Sequence, residues 1–235
     1  MKKFNRVVIK ISGEALAGEK RTGFDFDLIS TVCEVLKKAS EQGTQIGIVI
    51  GGGNFWRGVK DGAGKVERVN ADRMGMLATC MNCIAVCDVL RQLGAKARVM
   101  TAVDIQGVGE RYDTRRSIEA LEDGQIVLFA CGTGSPFFST DTGAVLRALE
   151  IGADAILLAK NIDGVYDDDP RKNPDAKKFD AISYDEVLAR HLAVMDTTAT
   201  SLAMDNRIPV EVFALAEPDN ILRVLRGEKI GTSVS

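Results

Sequence analysis

The chain has 235 residues, 46% of them hydrophobic, and a formal charge of −3 from 30 basic and 33 acidic side chains. That is enough apolar material for one α/β domain over residues 1–235; the charges are interspersed with no basic stripe, which argues against a nucleic-acid partner, and no apolar run approaches a membrane span. Five cysteines without framework spacing, and a start with no long apolar stretch behind Met1-Lys2-Lys3, fit a cytoplasmic protein without a signal peptide.

Short apolar or β-branched runs predict strands at residues 7–11, 45–50, 96–100, 125–130, 155–159 and 210–213, as for strands buried on both faces. Helical patterns fall between them at 26–41, 70–93, 115–121, 140–151, 184–191, 199–205 and 218–225. Gly94, Gly124 and Gly152 stand where three of these helices should stop. The alternation predicts a three-layer αβα sandwich around a central, mostly parallel sheet. Residues 161–183 break the scheme, with two prolines, the run Asp167-Asp168-Asp169 and little periodicity. A loop of that length just beyond a buried strand reads as an active-site lid.

Chemistry begins in the first strand. Alternation turns Val7, Ile9 and Ile11 one way and Val8, Lys10 and Ser12 the other. A lysine in so apolar a strand either snorkels to water or acts as a fixed cation. Ser12-Gly13 directly after it supplies a hydroxyl and an open backbone, which favours the cation. The second strand ends in Gly51-Gly52-Gly53-Asn54, with Arg57 as a fork matched to phosphate oxygens. The fourth ends in Gly132-Thr133-Gly134-Ser135-Pro136-Phe137-Phe138-Ser139-Thr140-Asp141. There, strand, glycine turn and helix start together make an anion cradle. Walker A and Rossmann fingerprints are both absent. Two glycine loops and a lysine suggest two phosphates held face to face, as a kinase requires.

Asp72, Asp141, Asp163, Asp169 and Asp196 fall at strand ends or helix starts. Asp141 has two readings, an N-terminal cap worth about 1 kcal/mol or a catalytic carboxylate. Cys80, Cys83 and Cys87 share a helix face and read as core or subunit contact rather than half a metal site. His191 reads as a helix end, and Met74, Met76 and Met81 as packing.

As a set these residues resemble a known family. Val8-Ile9-Lys10-Ile11-Ser12-Gly13-Glu14-Ala15-Leu16, Gly51-Gly52-Gly53-Asn54, Asp72-Arg73-Met74-Gly75-Met76-Leu77-Ala78-Thr79, the Gly132–Phe138 loop, Asp163-Gly164-Val165-Tyr166, Val194-Met195-Asp196 and Gly231-Thr232 occur in order. The chain resembles the bacterial uridylate (UMP) kinases of the amino acid kinase fold along nearly its whole length. The resemblance implies transfer of the ATP γ-phosphoryl to UMP with Mg²⁺, in cytoplasmic pyrimidine nucleotide biosynthesis, by an allosteric homohexamer whose long helix from Asp72 serves subunit contact. It implies catalytic roles for Lys10, Arg57, Asp141 and Asp196. ATP would meet Lys10, Ser12, Gly13, Gly53, Arg57, Tyr166, Asp169 and the pair Lys160 and Asn161, one of which takes the contact. UMP would meet Gly52, Asp72, Thr133, Gly134, Ser135, Pro136, Phe137, Phe138, Ser139 and Thr140. No side chain is assigned as a dedicated metal ligand. The segment Gly18-Glu19-Lys20-Arg21-Thr22-Gly23-Phe24 departs from the compact Gly-Phe-Gly run that the family ties to GTP activation. Rival readings are a relative that phosphorylates a carboxylate or carbamate, and a non-catalytic nucleotide-binding or oxyanion-storage protein on the same scaffold.

Overall fold

The structure is a computed structural model, and it describes residues 3–20, 22–57 and 64–235. At its centre β1 (Arg6–Ile11) lies between β2 (Gln45–Ile50) and β6 (Ala155–Lys160), parallel to both. Beyond β2 come β5 (Ile126–Ala130), β3 (Ala97–Thr101) and the short β4 (Glu110–Arg111). Beyond β6 come β10 (Val210–Ala214), β11 (Thr232–Val234) and β9 (Ala181–Ile182). Among the described residues only the β10–β11 pair in this sheet is antiparallel.

Two cores explain the three layers. Val7, Ile9 and Ile11 of β1 pack into a cluster with α2 (Phe26–Glu41), α3 (Arg68–Gln92) and α8 (Asn220–Leu225). Val8, one residue out of phase, packs into the other cluster with α4 (Thr114–Glu122), α5 (Thr140–Glu150), α6 (Tyr184–Ala189) and α7 (Thr197–Asp205). Each fully buried aliphatic side chain contributes roughly 1.5–3 kcal/mol relative to exposure, so a strand with a core on both faces has little use for polar residues. The αβα sandwich expected from the sequence is present.

All six expected strands and seven expected helices form, with ends displaced by two residues or fewer; α3, for example, begins at Arg68 rather than residue 70. Gly94, Gly124 and Gly152 all adopt left-handed backbone at helix ends. The elements that the sequence reading omits are two to four residues long: α1 (Gly13–Leu16), a 3-10 turn at Gly18–Lys20, β4, β9, β11, and a hairpin of β7 (Val165–Tyr166) with β8 (Lys178–Phe179). The hairpin and β9 lie inside the stretch read as a loop, and such pieces are too short to show a period.

Helix α3 corrects one expectation. Its 25 residues include an 18-residue window of mean hydropathy 1.4, long and apolar enough to cross a membrane by length and composition. Here one side of it is core, with Cys80, Cys83, Val86, Cys87 and Leu90 buried. Asn82, fully buried, donates to Gly51 O at 2.6 Å. The helix is a layer of the sandwich. Met74 and Met81, expected as packing, are instead exposed on its outer side, whereas Met76 packs against the core.

Candidate active site

The carboxyl ends of β1, β2 and β5 open into a cleft of about 260 Å³, on the sheet edge where a change of strand order leaves a crevice for ligands. β1 delivers Lys10 and then Ser12, which precedes α1 but makes no side-chain cap bond. The β1 and β2 ends approach so closely that a Cβ at Gly13 would lie 2.2 Å from Gly51 O. Only glycine fits there. On the far side of the β2 loop a Cβ at Gly52 would come 2.9 Å from both Gly75 O and Ala78 Cβ. The loop is tied down by a reciprocal amide pair: Asn54 Nδ2 donates to Asn82 Oδ1 at 2.9 Å and Asn82 Nδ2 to Asn54 Oδ1 at 2.8 Å, both side chains buried.

Lys10 points from the strand into this cleft, and its ammonium lies 2.7 Å from Asp141 Oδ1 in a largely buried ion pair. That oxygen is buried and takes no hydrogen bond, so the ion pair is what offsets its desolvation. The capping reading of Asp141 falls, because Ser139 is the cap of α5 and accepts from Thr142 N at 3.0 Å. Lys160, at the end of β6, completes the cluster. Burial pulls its pKa below the usual lysine value, with Asp141 opposing and Lys10 adding to the shift. Its ammonium donates to the carbonyls of Val194 and Ala193. Lys10 and Lys160, on neighbouring strands, bring two basic side chains to this end of the sheet.

Asp196 does not line the cleft. It caps α7 by accepting from Ala199 N at 3.1 Å, and it also takes the Ser139 hydroxyl. It therefore stands behind the α5 cap and steadies it. Asp72 accepts Arg68 Nε at 2.8 Å and the Phe137 N–H at 2.8 Å, which binds the start of α3 to the loop after β5. That N–H belongs to a phenylalanine with φ of 70°, a left-handed conformation uncommon for a bulky residue. Arg57 pairs with Glu14 at 2.9 Å and donates to Gly53 O.

A second cleft, of about 490 Å³, lies beyond β6 and is walled by the β7 strand and the loop carrying Asp167 to Arg171. Lys160, Tyr166 and Asp169 line it; Asn161 does not, and borders a separate cavity with Glu14. His191, just past the end of α6 as expected, is on the rim of the second cleft. The first cleft gathers Lys10, Ser12, Gly13, Gly52, Gly53, Arg57 and Asp72 with Thr133, Ser135, Phe138, Ser139 and Thr140. Gly134, Pro136 and Phe137 belong to the same loop without lining the cavity. Sequence reasoning missed Trp56, Thr79 and Cys131. Thr79 Oγ1 accepts from Cys131 N at 2.9 Å and so fixes the start of the β5 loop. Its only signal was its place in the Asp72–Thr79 motif.

Comparison with known proteins agrees with this geometry. Residues 5–214 match the amino acid kinase family. The chain belongs to that family. It is 53% identical to a uridylate kinase of Streptococcus thermophilus, over 99% of this chain and 96% of the relative. It superposes on UMP kinase from Bacillus anthracis with a TM-score of 0.93 at 38% identity, over 99% of this chain and 96% of that one. UMP kinase from Ureaplasma parvum gives 0.93 at 37% identity over the whole of both chains. Within the family, its likeness is to the uridylate kinases.

Proposed function

We infer that this chain is a nucleoside monophosphate kinase that transfers the γ-phosphoryl of ATP to UMP, giving UDP and ADP. One observation carries the reading: on neighbouring strands of one sheet, Lys10, paired with Asp141, faces one cleft and Lys160 faces the other, so basic side chains stand between the two. A phosphoryl group passing between nucleotides needs positive charge at that junction. In this reading Lys160, Tyr166 and Asp169 take the adenine nucleotide, whose phosphates run over Ser12, Gly13 and Gly53. Gly52, Asp72 and the Thr133–Thr140 loop take UMP. Lys160 is favoured over Asn161, which faces another cavity.

The UMP phosphate is an anionic nucleophile at neutral pH, so no general base is required and the exposed His191 is not needed as one. Lys10 and Arg57 neutralise the transferring group, and glycine-loop amides hold both phosphates in line. Among the described residues no cluster of three His, Cys, Asp or Glu could hold a metal ion. Mg²⁺ would come to the site on the nucleotide phosphates. Bound in that way the ion would add charge neutralisation. The outer stripe of α3, formed by Met74, Leu77, Met81 and Ile84, is 40–52% exposed at i, i+3 and i+4 spacing. We assign it to contact between copies in a homohexamer, where effector control would also act. The free, buried cysteines fit a reducing cytoplasm, and conversion of UMP to UDP would place the enzyme in pyrimidine nucleotide biosynthesis.

Product analysis tests the reading. With ATP and Mg²⁺, UMP should yield UDP, while acetylglutamate and carbamate yield no acyl phosphate. Acyl phosphate formation would favour the carboxylate-kinase rival, and binding without turnover the storage rival.

A further inference from the structure

Arg147 is a buried arginine that the mechanism above does not use. It lies in the last turn of α5, only 4% exposed. Buried arginines are rare unless paired, and this one is held on three sides. It forms an ion pair with Glu150, its guanidinium lies 3.6 Å from the centroid of the Tyr112 ring, and it donates to Gly132 O at 3.4 Å.

The third contact has a geometric consequence. Gly132 O and Thr133 N–H belong to one planar trans peptide and point in opposite directions. The face of this peptide rests on α5 at Gly143, where a Cβ would lie 3.3 Å from Gly132 C and Cα and 3.5 Å from Thr133 N. Arg147 is one turn further toward the C-terminus on the same face, so it draws the carbonyl toward that end of the helix. The Thr133 N–H is thereby aimed toward the N-terminus, where Ser139 and Thr140 border the cleft. Among the described residues that N–H has no protein acceptor. The turn is strained at Cys131, whose φ of 66° is left-handed, while Gly132 takes its φ of 57° without steric cost.

We propose that Arg147 is a positioning residue that fixes the Gly132–Thr133 peptide so that the Thr133 amide binds the phosphate of the acceptor nucleotide. The proposal rests on the reading of this loop as the UMP site. Arg147→Met should raise the KM for UMP about 10–100-fold, the loss of a hydrogen bond to a charged group. KM for ATP and the inhibition constant of uridine, which lacks the phosphate, should stay unchanged. Arg147→Lys, which keeps the charge but not the planar fork, should fall between; it is the variant to read if Arg147→Met does not fold. In ¹⁵N-labelled wild type the Thr133 amide proton should move downfield with UMP and not with uridine, and Arg147→Lys should diminish that movement. An unchanged UMP KM in a folded variant, or equal weakening of UMP and uridine, would overturn the proposal while leaving the site assignment intact. If the wild-type Thr133 amide ignores UMP, the loop is not the phosphate site and the proposal falls with that reading.

Discussion

Lys10 was legible from alternation together with the Ser12-Gly13 that follows the strand, because one ammonium among buried valines and isoleucines calls for a partner. Its partner was not, since Asp141 reaches it only through the fold, and a carboxylate in the first turn of a helix looks like a cap. Replacing Lys10 with Met should lower kcat by a factor of about 10²–10³, the usual loss for one well-aimed electrostatic donor, with UMP affinity nearly kept. It also strands Asp141 without its counter-ion, so Asp141→Asn added to Lys10→Met should recover stability but not kcat, as read by thermal melting beside steady-state kinetics. Lys160 gives a pH signature. Its pKa is held down by burial, against Asp141 and with Lys10; a lysine shifted down loses its proton earlier as pH rises. The rate should therefore fall on an alkaline limb that begins below the ordinary lysine value of about 10.4, and Lys160→Arg, which keeps its charge, should lack that limb. The same limb in both enzymes would remove Lys160 from the reaction centre.

Among the elements, what matters is how loops are pinned. Gly13→Ala would place a methyl 2.2 Å from a carbonyl oxygen of the β2 loop. Overpacking of that kind costs about 1–3 kcal/mol, or roughly 2–4 °C of Tm per kcal/mol at this chain length, and a calorimetric scan would register it together with lost ATP affinity. Asn82→Leu would take the Asn82 donor from Gly51 O and Asn54 Oδ1, while Asn54 Nδ2 keeps its bond to Gly23 O; the cost is about 1–3 kcal/mol for each buried group left unsatisfied. A Tm within a degree of wild type would show that the amide pair is not what holds the loop. The glycine loops announced themselves by composition. Asn82 and Arg147 did not: on a helix, an asparagine or an arginine reads as solvated surface until the packing around it is known. The hairpin and the added edge strands stayed hidden for another reason, being two or three residues of backbone pairing with no pattern of their own.

At the scale of the whole molecule, sequence alternation was enough for the layers, and the strand order was not visible in it. That order puts β1 between β2 and β6, which separates two clefts and gives Lys10 to one and Lys160 to the other. The exposed stripe on α3 makes a separate claim. Leu77→Glu with Met81→Glu should shift the assembly toward smaller species in light scattering, and an unchanged mass would place the subunit contact elsewhere. The account turns on UMP as acceptor and Lys10 as the cation in transfer, so the most direct measurement is a coupled ADP-release assay with ATP, Mg²⁺ and UMP, CMP or dUMP, run on wild type and Lys10→Met. Rapid turnover with UMP, far slower with CMP and dUMP, and lost by about 10²–10³ in the variant is the expected result. Equal rates for all three acceptors, or a Lys10→Met enzyme as fast as wild type, would contradict it.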